Sequence, residues 1–206
     1  FVVGMNFVSY RGIDMSVKVL LFFAVCTILS LWTLLTWGVY YVSASNLMPL
    51  SIFPKVSIVI AMLYILETFF GWETVTYLAE ETKDPAKTIP KVMMWGTAAV
   101  VLLALGVVAV TLGAVNWEVL ANSATPLLEA ANIFMGQSGA RLIAVLVFLN
   151  ILGGAAAWIV VTPRLIFALG RDKLLPDVLS RIHPVHQTPY YAIAVQTVLT
   201  IIILLS

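Results

Sequence analysis

The chain has 206 residues, of which 62% are apolar and 10% are charged, and its formal net charge at pH 7 is +1. Soluble domains carry about 25% charged residues, so this composition excludes a soluble globular protein and indicates that the chain is dissolved in a lipid bilayer. The near-neutral charge gives no basis for a nucleic-acid partner. The single cysteine, Cys26, excludes a disulfide framework within the chain.

Long apolar runs predict an all-α integral membrane protein, because about 20 apolar residues suffice for a helix to cross a bilayer. The chain begins and ends within apolar sequence. We therefore expect a single transmembrane domain, residues 1–206, that is truncated at both ends. The predicted spans, in chain order, are 1–10 (partial), 19–42, 56–80, 92–115, 142–163 and 190–206 (partial).

The span 56–80 differs from the others because Glu67 and Glu73 interrupt its apolar sequence. The uncharged run before Glu67 has 11 residues, which is too short to cross a membrane. Gly71 lies between the two acids, so we predict two half-helices joined by a non-helical segment near 69–73. At membrane depth, such a segment is tolerated where it lines a cavity enclosed by protein. A glycine-kinked helix with packing aromatic residues is the alternative.

Two further features concern the later spans. The sequence PLLEAANIFMG, from Pro126, suits a short helix lying along the outer membrane surface. The small residues 153–157 in the span 142–163 permit a close approach of another helix.

The distribution of lysine and arginine predicts the orientation of the chain. When alternate loops are assigned to one side, only Lys55 and Arg141 fall opposite the other nine basic residues, and cytoplasmic loops are the ones enriched in Lys and Arg. We therefore expect a multi-pass protein with these nine residues on the cytoplasmic side: Arg11, Lys18, Lys83, Lys87, Lys91, Arg164, Arg171, Lys173 and Arg181.

Three motifs in order carry a family resemblance: FFGWE at 69–73, AEETKDPAKTIP at 79–90 and RLIFALGRDKLLP at 164–176. They resemble the broken sixth helix, its following loop, and the eighth helix with its loop in amino acid permeases of the amino acid, polyamine and organocation (APC) superfamily. The resemblance implies part of a LeuT-like inverted-repeat helical bundle, the APC fold, running from the end of the fourth helix into the ninth. It also implies that the missing helices of the same permease complete the fold.

The resemblance implies secondary active transport of amino acids or related amines across the plasma membrane by alternating access. An amino acid sensor or regulatory membrane subunit with a transporter-like site is the alternative. By matching, Phe69, Phe70, Gly71 and Trp72 would line the substrate site, with backbone carbonyls and amides at half-helix ends binding the ammonium and carboxylate groups. We find no nucleotide loop, HExxH or Ser/His/Asp pattern, and so do not expect an enzyme.

Glu73 matches the acid that closes the family's glycine, aromatic, Glu motif, and the implied role is coupling or gating. As a hypothesis, protonation of its carboxylate changes how the broken helix packs, because a charge inside a membrane needs a partner, a cavity or a proton. The alternative is a structural hydrogen bond to the backbone of a neighbouring helix. Glu67 stands where exchangers of this superfamily have a gating aromatic residue. It would either contact a cationic substrate or pair with a helix outside this chain.

Two polar or aromatic residues of the span 142–163 complete the candidate set. Trp158 lies 18 residues before Pro176, a spacing that resembles that of a substrate-facing tryptophan in the exchangers. It could stack on a substrate amine, and packing is the alternative. Asn150 is the most deeply placed polar residue of the span, a candidate for gating or for an interhelical hydrogen bond.

The coupling species is expected to be a proton or an exchanged substrate, and no other cofactor is implied. Sodium-coupled relatives of this fold use paired hydroxyls on the eighth helix, whereas residues 152–161 contain no Ser or Thr, which disfavours sodium. We expect no metal site. His183 and His186 lack a third ligand and Pro184 breaks any helix between them, so a solvated loop is the expected structure.

Overall fold

A computed structural model describes residues 1–47, 55–67, 69 and 71–206, and of Lys55 and Glu67 it describes the backbone alone. The described residues form helices joined by turns, without a β-strand among them. The helices are α1 (Val2–Tyr10), α2 (Ile13–Gly38), α3 (Lys55–Glu67), α4 (Pro85–Ala114), α5 (Trp117–Ala121), α6 (Pro126–Arg171) and α7 (Tyr190–Leu205), with a ten-residue 3-10 helix at Trp72–Glu81 and shorter 3-10 turns elsewhere.

Three helical stretches of the described chain are long and apolar enough to cross a membrane: Ile13–Tyr41, Pro85–Ala114 and Pro126–Arg171. The second has 30 residues, which at about 1.5 Å per residue exceeds the hydrocarbon thickness of about 30 Å. Two shorter apolar helices are Val56–Leu66 and Tyr190–Leu205. The predicted all-α membrane class is confirmed.

Helix α6 is longer than the predicted span at both ends. It begins at Pro126 and reaches Arg171, passing through Pro163, which lies inside the helix. At Gly136 the backbone leaves helical geometry, with φ 68° and ψ −171°, so α6 consists of a short first part and a long second part. The first part covers the sequence for which a short surface helix was predicted, but one of its faces is buried: Ala130, Ala131 and Phe134.

The chain forms two compact units, made of residues 1–25, 74–86 and 149–206, and of residues 26–73 and 87–148. The core of the second unit packs α2, α4 and residues on both sides of Gly136 in α6 together through eight buried residues: Leu34, Val107, Val110, Val115, Ala130, Ala131, Phe134 and Ile143. The segment after α2 also holds the end of α4, because the backbone N–H of Ser43 and Nδ2 of Asn46 both donate to the Gly113 carbonyl, each at 2.9 Å. An otherwise orphan helix-end carbonyl is thereby bonded.

The first unit packs α1, the start of α2 and the second part of α6 around Met5, Ala156, Ile159 and Val160. The predicted close helix approach at 153–157 occurs at Gly153. A Cβ atom added there would lie 2.6 Å from Cβ of Phe23 in α2, whereas one added at Gly154 would meet nothing within 4 Å. Of the two adjacent glycines, Gly153 is therefore the one that the packing requires.

These neighbours give a matched test of helix packing. We expect Gly153→Ala to lower the thermal unfolding midpoint of the full-length protein in detergent by about 2–6 °C, because overpacking costs about 1–3 kcal/mol and exceeds the gain in helix propensity. Gly154→Ala has only the propensity gain, so its midpoint should equal or exceed that of the wild type. Equal midpoints for the two variants would contradict the assigned contact.

Candidate functional site

The chain leaves α-helical geometry between α3 and the 3-10 helix. Helix α3 ends at Glu67, the N–H of Phe69 donates to the Leu66 carbonyl at 3.1 Å, and the N–H of Trp72 donates to the Phe69 carbonyl at 3.2 Å. Gly71 has φ 95°, a conformation that side chains with a Cβ atom rarely adopt. The glycine between the two acids is thus a conformational requirement of this bend.

The carboxylate of Glu73 folds back onto the bend. Its Oε2 accepts a hydrogen bond from the backbone N–H of Gly71 at 3.0 Å. Charged acceptors bond amide groups more strongly than neutral ones, and a carboxylate at the start of a helix also suits the positive end of the helix dipole. Glu73 therefore has a structural contact within its own segment.

Trp72 packs against α4. Its indole Cζ2 would lie 3.6 Å from a Cβ atom added at Gly96, so the ring covers this glycine. The Nε1 atom of Trp72 is buried and has no hydrogen-bond partner among the described residues. Phe69, by contrast, is 39% exposed. Phe70 and the side chain of Glu67 lie outside the described residues, so their predicted contacts stay predictions.

The two candidates on α6 belong to the first compact unit. Trp158 is 43% exposed and lies on an apolar cavity of about 370 Å³ that Gln196 and Thr200 of α7 also line. Asn150 is half-buried in α6. Phe69, Gly71, Trp72 and Glu73 belong to the second unit. The assignment of all these residues to one substrate site is therefore still a prediction.

A cluster around Arg164 was not predicted in this form. Its guanidinium is only 5% exposed and its Nε is 3.2 Å from Oε1 of Glu81. Its Nη1 donates to Oγ of Ser9 at 2.7 Å and to the Val160 carbonyl at 2.5 Å, while Nη2 has no hydrogen-bond partner among the described residues. Arg164 thus connects α1, the end of the 3-10 helix and α6.

A second ion pair joins the same 3-10 helix and α6, between Arg171 and Glu80, and both side chains are half exposed. The sequence alone did not identify these partners. One feature of the sequence could have indicated this pairing. Arg164 and Arg171 are seven residues apart, which places both on one face of a helix, and the acids Glu80 and Glu81 are consecutive. A cavity of about 190 Å³ lies at this point, lined by Tyr77, Glu80, Glu81, Arg164 and Phe167 among others.

The described residues include no group of three His, Cys, Asp or Glu side chains placed to hold a metal ion. In particular, both ring nitrogens of His183 lie within hydrogen-bond distance of protein groups, Nε2 near Tyr10 and Nδ1 near two backbone amides. The first histidine of the HPVH sequence is therefore held by hydrogen bonds within the protein.

The two arginines differ in burial, and this difference predicts their contributions to stability. Breaking a buried ion pair by removing one partner costs roughly 3–5 kcal/mol, and we expect Arg164→Ala to fall toward the lower end because Glu81 keeps 29% exposure. Arg171→Ala should cost about 0–1 kcal/mol, as for exposed pairs. Unfolding of the full-length variants in detergent measures both. An Arg171→Ala loss equal to that of Arg164→Ala would contradict this ranking.

Comparison with known proteins assigns the family. A sequence profile described as "Amino acid permease" matches residues 1–206. The branched-chain amino acid permease BcaP of Bacillus subtilis (strain 168) is 27% identical over 195 residues, covering 93% of this chain and 41% of that protein. The serine/threonine exchanger SteT of the same organism is 32% identical over 151 residues, covering 70% and 34%.

A third relative, the methylthioribose transporter of Bacillus subtilis (strain 168), is 29% identical over 154 residues, covering 74% of this chain and 33% of that protein. The chain therefore spans between one third and about two fifths of the length of these relatives. The names of the family and of the relatives are those of transporters rather than of enzymes. The predicted APC helical bundle is the fold of this family, and the chain belongs to the amino acid permease family.

Proposed function

We propose that the chain is part of a secondary active transporter that moves amino acids or related amines across the plasma membrane by alternating access. The observation that carries this proposal is the bend at Gly71, where an α-helix ends at Glu67 and a 3-10 helix begins at Trp72 in a member of the amino acid permease family. Non-helical backbone at membrane depth is costly and is found where it lines a cavity or a substrate path.

In this proposal Phe69, Phe70, Gly71 and Trp72 line the substrate site. Bends between half-helices expose backbone groups that can bind the ammonium and carboxylate of an amino acid. The half-exposed Phe69 supports a role as a contact surface for substrate. Glu67 and Trp158 remain candidates for recognition of the substrate side chain or amine, and Asn150 for gating.

Glu73 is the proposed coupling residue. Its hydrogen bond to the N–H of Gly71 ties the charge state of one carboxylate to the geometry of the bend. Loss of the charge weakens a charge-assisted hydrogen bond, so protonation offers a route by which a proton alters the site. The coupling species is accordingly a proton or an exchanged substrate, and the absence of Ser and Thr from residues 152–161 argues against sodium.

The substrate panel follows from the relatives. Two of them are named for branched-chain amino acids and for serine and threonine, and a third is named for methylthioribose. All three substrate types therefore belong in a transport assay, together with cationic amino acids because of Glu67. The Lys- and Arg-rich loops are proposed to face the cytoplasm.

The decisive experiment uses the full-length protein in proteoliposomes. We expect uptake or exchange of at least one labelled amino acid at a rate well above that of protein-free vesicles, and stimulation by an opposed pH gradient or by internal amino acid. Imposed sodium gradients serve as the control and should add nothing. Binding of an amino acid without uptake or exchange under any of these gradients would instead support the sensor alternative.

Substitutions at Glu73 separate structure from coupling. Glu73→Gln keeps an oxygen acceptor for the N–H of Gly71 but cannot change charge, so uptake should persist with a flattened pH dependence. Glu73→Ala removes the acceptor, and the loss of a hydrogen bond to a charged group, about 1.5–3 kcal/mol, should reduce uptake by roughly tenfold or more. If Glu73→Gln leaves both uptake and its pH dependence unchanged, Glu73 is not the coupling residue.

A further inference from the structure

The segment 181–189, between α6 and α7, folds around His183. The backbone N–H of His183 donates to the Thr188 carbonyl at 2.9 Å, and the N–H of Gln187 donates to the His183 carbonyl at 2.9 Å. Gln187 has φ 50°, so the turn is closed through a left-handed residue. The segment is thus an exposed loop, as predicted from its sequence, and its turn is held by hydrogen bonds at His183.

The side chain of His183 adds a second set of contacts to this turn. Its Nδ1 lies 3.2 Å from the backbone nitrogens of both Val185 and His186, which donate to it. A nitrogen that accepts hydrogen bonds carries no proton, and a neutral imidazole has a single N–H, so the proton is on Nε2. The Nε2 atom is 3.1 Å from the hydroxyl of Tyr10, which then accepts.

These contacts join the end of α1 to the start of α7. The hydroxyl of Thr188, which is 2% exposed, donates to the Tyr10 carbonyl at 3.1 Å. The ring of His183 meets Tyr10 and Tyr190 edge-on, with centroids 5.4 and 5.7 Å apart, and stacks on His186 at 5.0 Å. His183 therefore lies at the centre of the cluster, with partners from two helices and from its own turn.

We propose that His183 is a proton-sensitive switch that holds the segment 181–189 against α1 when its imidazole is neutral and releases the turn when the imidazole is protonated. An imidazolium carries N–H groups on both nitrogens. Its Nδ1–H would then point at the two backbone N–H groups of Val185 and His186, so both hydrogen bonds are lost. Histidine is the side chain that ordinarily changes charge between pH 5 and 8, and release is expected as the pH falls.

The groups around His183 also favour release of the turn when the imidazole is protonated. The titratable groups facing it are Tyr10 from α1, His186 from its own turn and Tyr190 from α7. Protonation of both stacked histidines would place like charges side by side. Carboxylates are absent from the described contacts of the His183 ring. The charged groups Arg11, Asp14 and Glu81 line a neighbouring cavity of about 370 Å³, which is also lined by His186.

The switch concerns the backbone of the segment 181–189 and does not depend on the proposed transport function. Hydrogen exchange of the amides of Val185 and His186 therefore tests it directly, in the full-length protein in lipid nanodiscs at about pH 7.5 and about pH 5.5, which bracket the histidine range. After correction for intrinsic exchange rates, we expect wild-type protection of these amides to fall at least about tenfold at the lower pH, because two hydrogen bonds open.

Two matched variants identify the responsible residue. Asparagine can accept from backbone N–H groups two residues ahead without titrating, so His183→Asn should remove the pH dependence. His186→Asn removes the other histidine and should keep the fall of the wild type. Loss of protection at both pH values in His183→Asn also supports the switch, because it shows that the turn needs the imidazole. Three results overturn it: unchanged wild-type protection, a persistent fall in His183→Asn, or no fall in His186→Asn.

Discussion

A chain embedded in hydrocarbon must satisfy its backbone hydrogen bonds internally, because the surrounding lipid offers neither donors nor acceptors. The long helices meet this requirement by construction, and the bend after α3 does not. There, the carboxylate of Glu73 supplies an acceptor for the N–H of Gly71 at 3.0 Å, two residues away. The acid that family resemblance marks for coupling is thus also part of the bend's own hydrogen bonding. In the proposed coupling role, a change in the charge of Glu73 would act directly on its hydrogen bond to the N–H of Gly71.

In the first compact unit, two consecutive residues near the end of α1 make hydrogen bonds to other elements. Ser9 accepts from the buried guanidinium of Arg164, while the next residue, Tyr10, is bonded through its hydroxyl to His183 and through its carbonyl to Thr188. Two consecutive residues therefore tie α1 to α6 and to the turn before α7. The first contact is made by the guanidinium of an arginine, and the second by the imidazole of a histidine.

The sequence was sufficient to predict the membrane class, because the lengths of apolar runs correspond directly to helices that cross a bilayer. The close approach at Gly153 also followed from local composition. The ends of the helices were harder to predict. Helix α6 continues through Pro163 to Arg171, although a proline usually ends or kinks a helix. The kink at Gly136 likewise has no local sequence signature that separates it from the other glycines in apolar runs.

The side-chain clusters depend on contacts between residues far apart in sequence, and no local pattern specifies them. Arg164 and Glu81 are separated by 83 positions, and Tyr10 and His183 by 173. The sequence shows two arginines on one helix face and two consecutive acids. Which arginine pairs with which acid is known only from the folded structure. Phe69, Trp72 and Trp158 are different, because the family resemblance rather than a contact in the structure proposes them as substrate residues.

The segment after the bend has one more physical property. Trp72–Glu81 is a 3-10 helix of ten residues, whereas such helices rarely exceed three or four. A 3-10 helix rises about 2.0 Å per residue and an α-helix about 1.5 Å, so the same residues in α-helical form would be about 5 Å shorter, close to one α-helical turn. Rewinding these ten residues into an α-helix would therefore shorten the segment between Trp72 and Glu81 by about one α-helical turn.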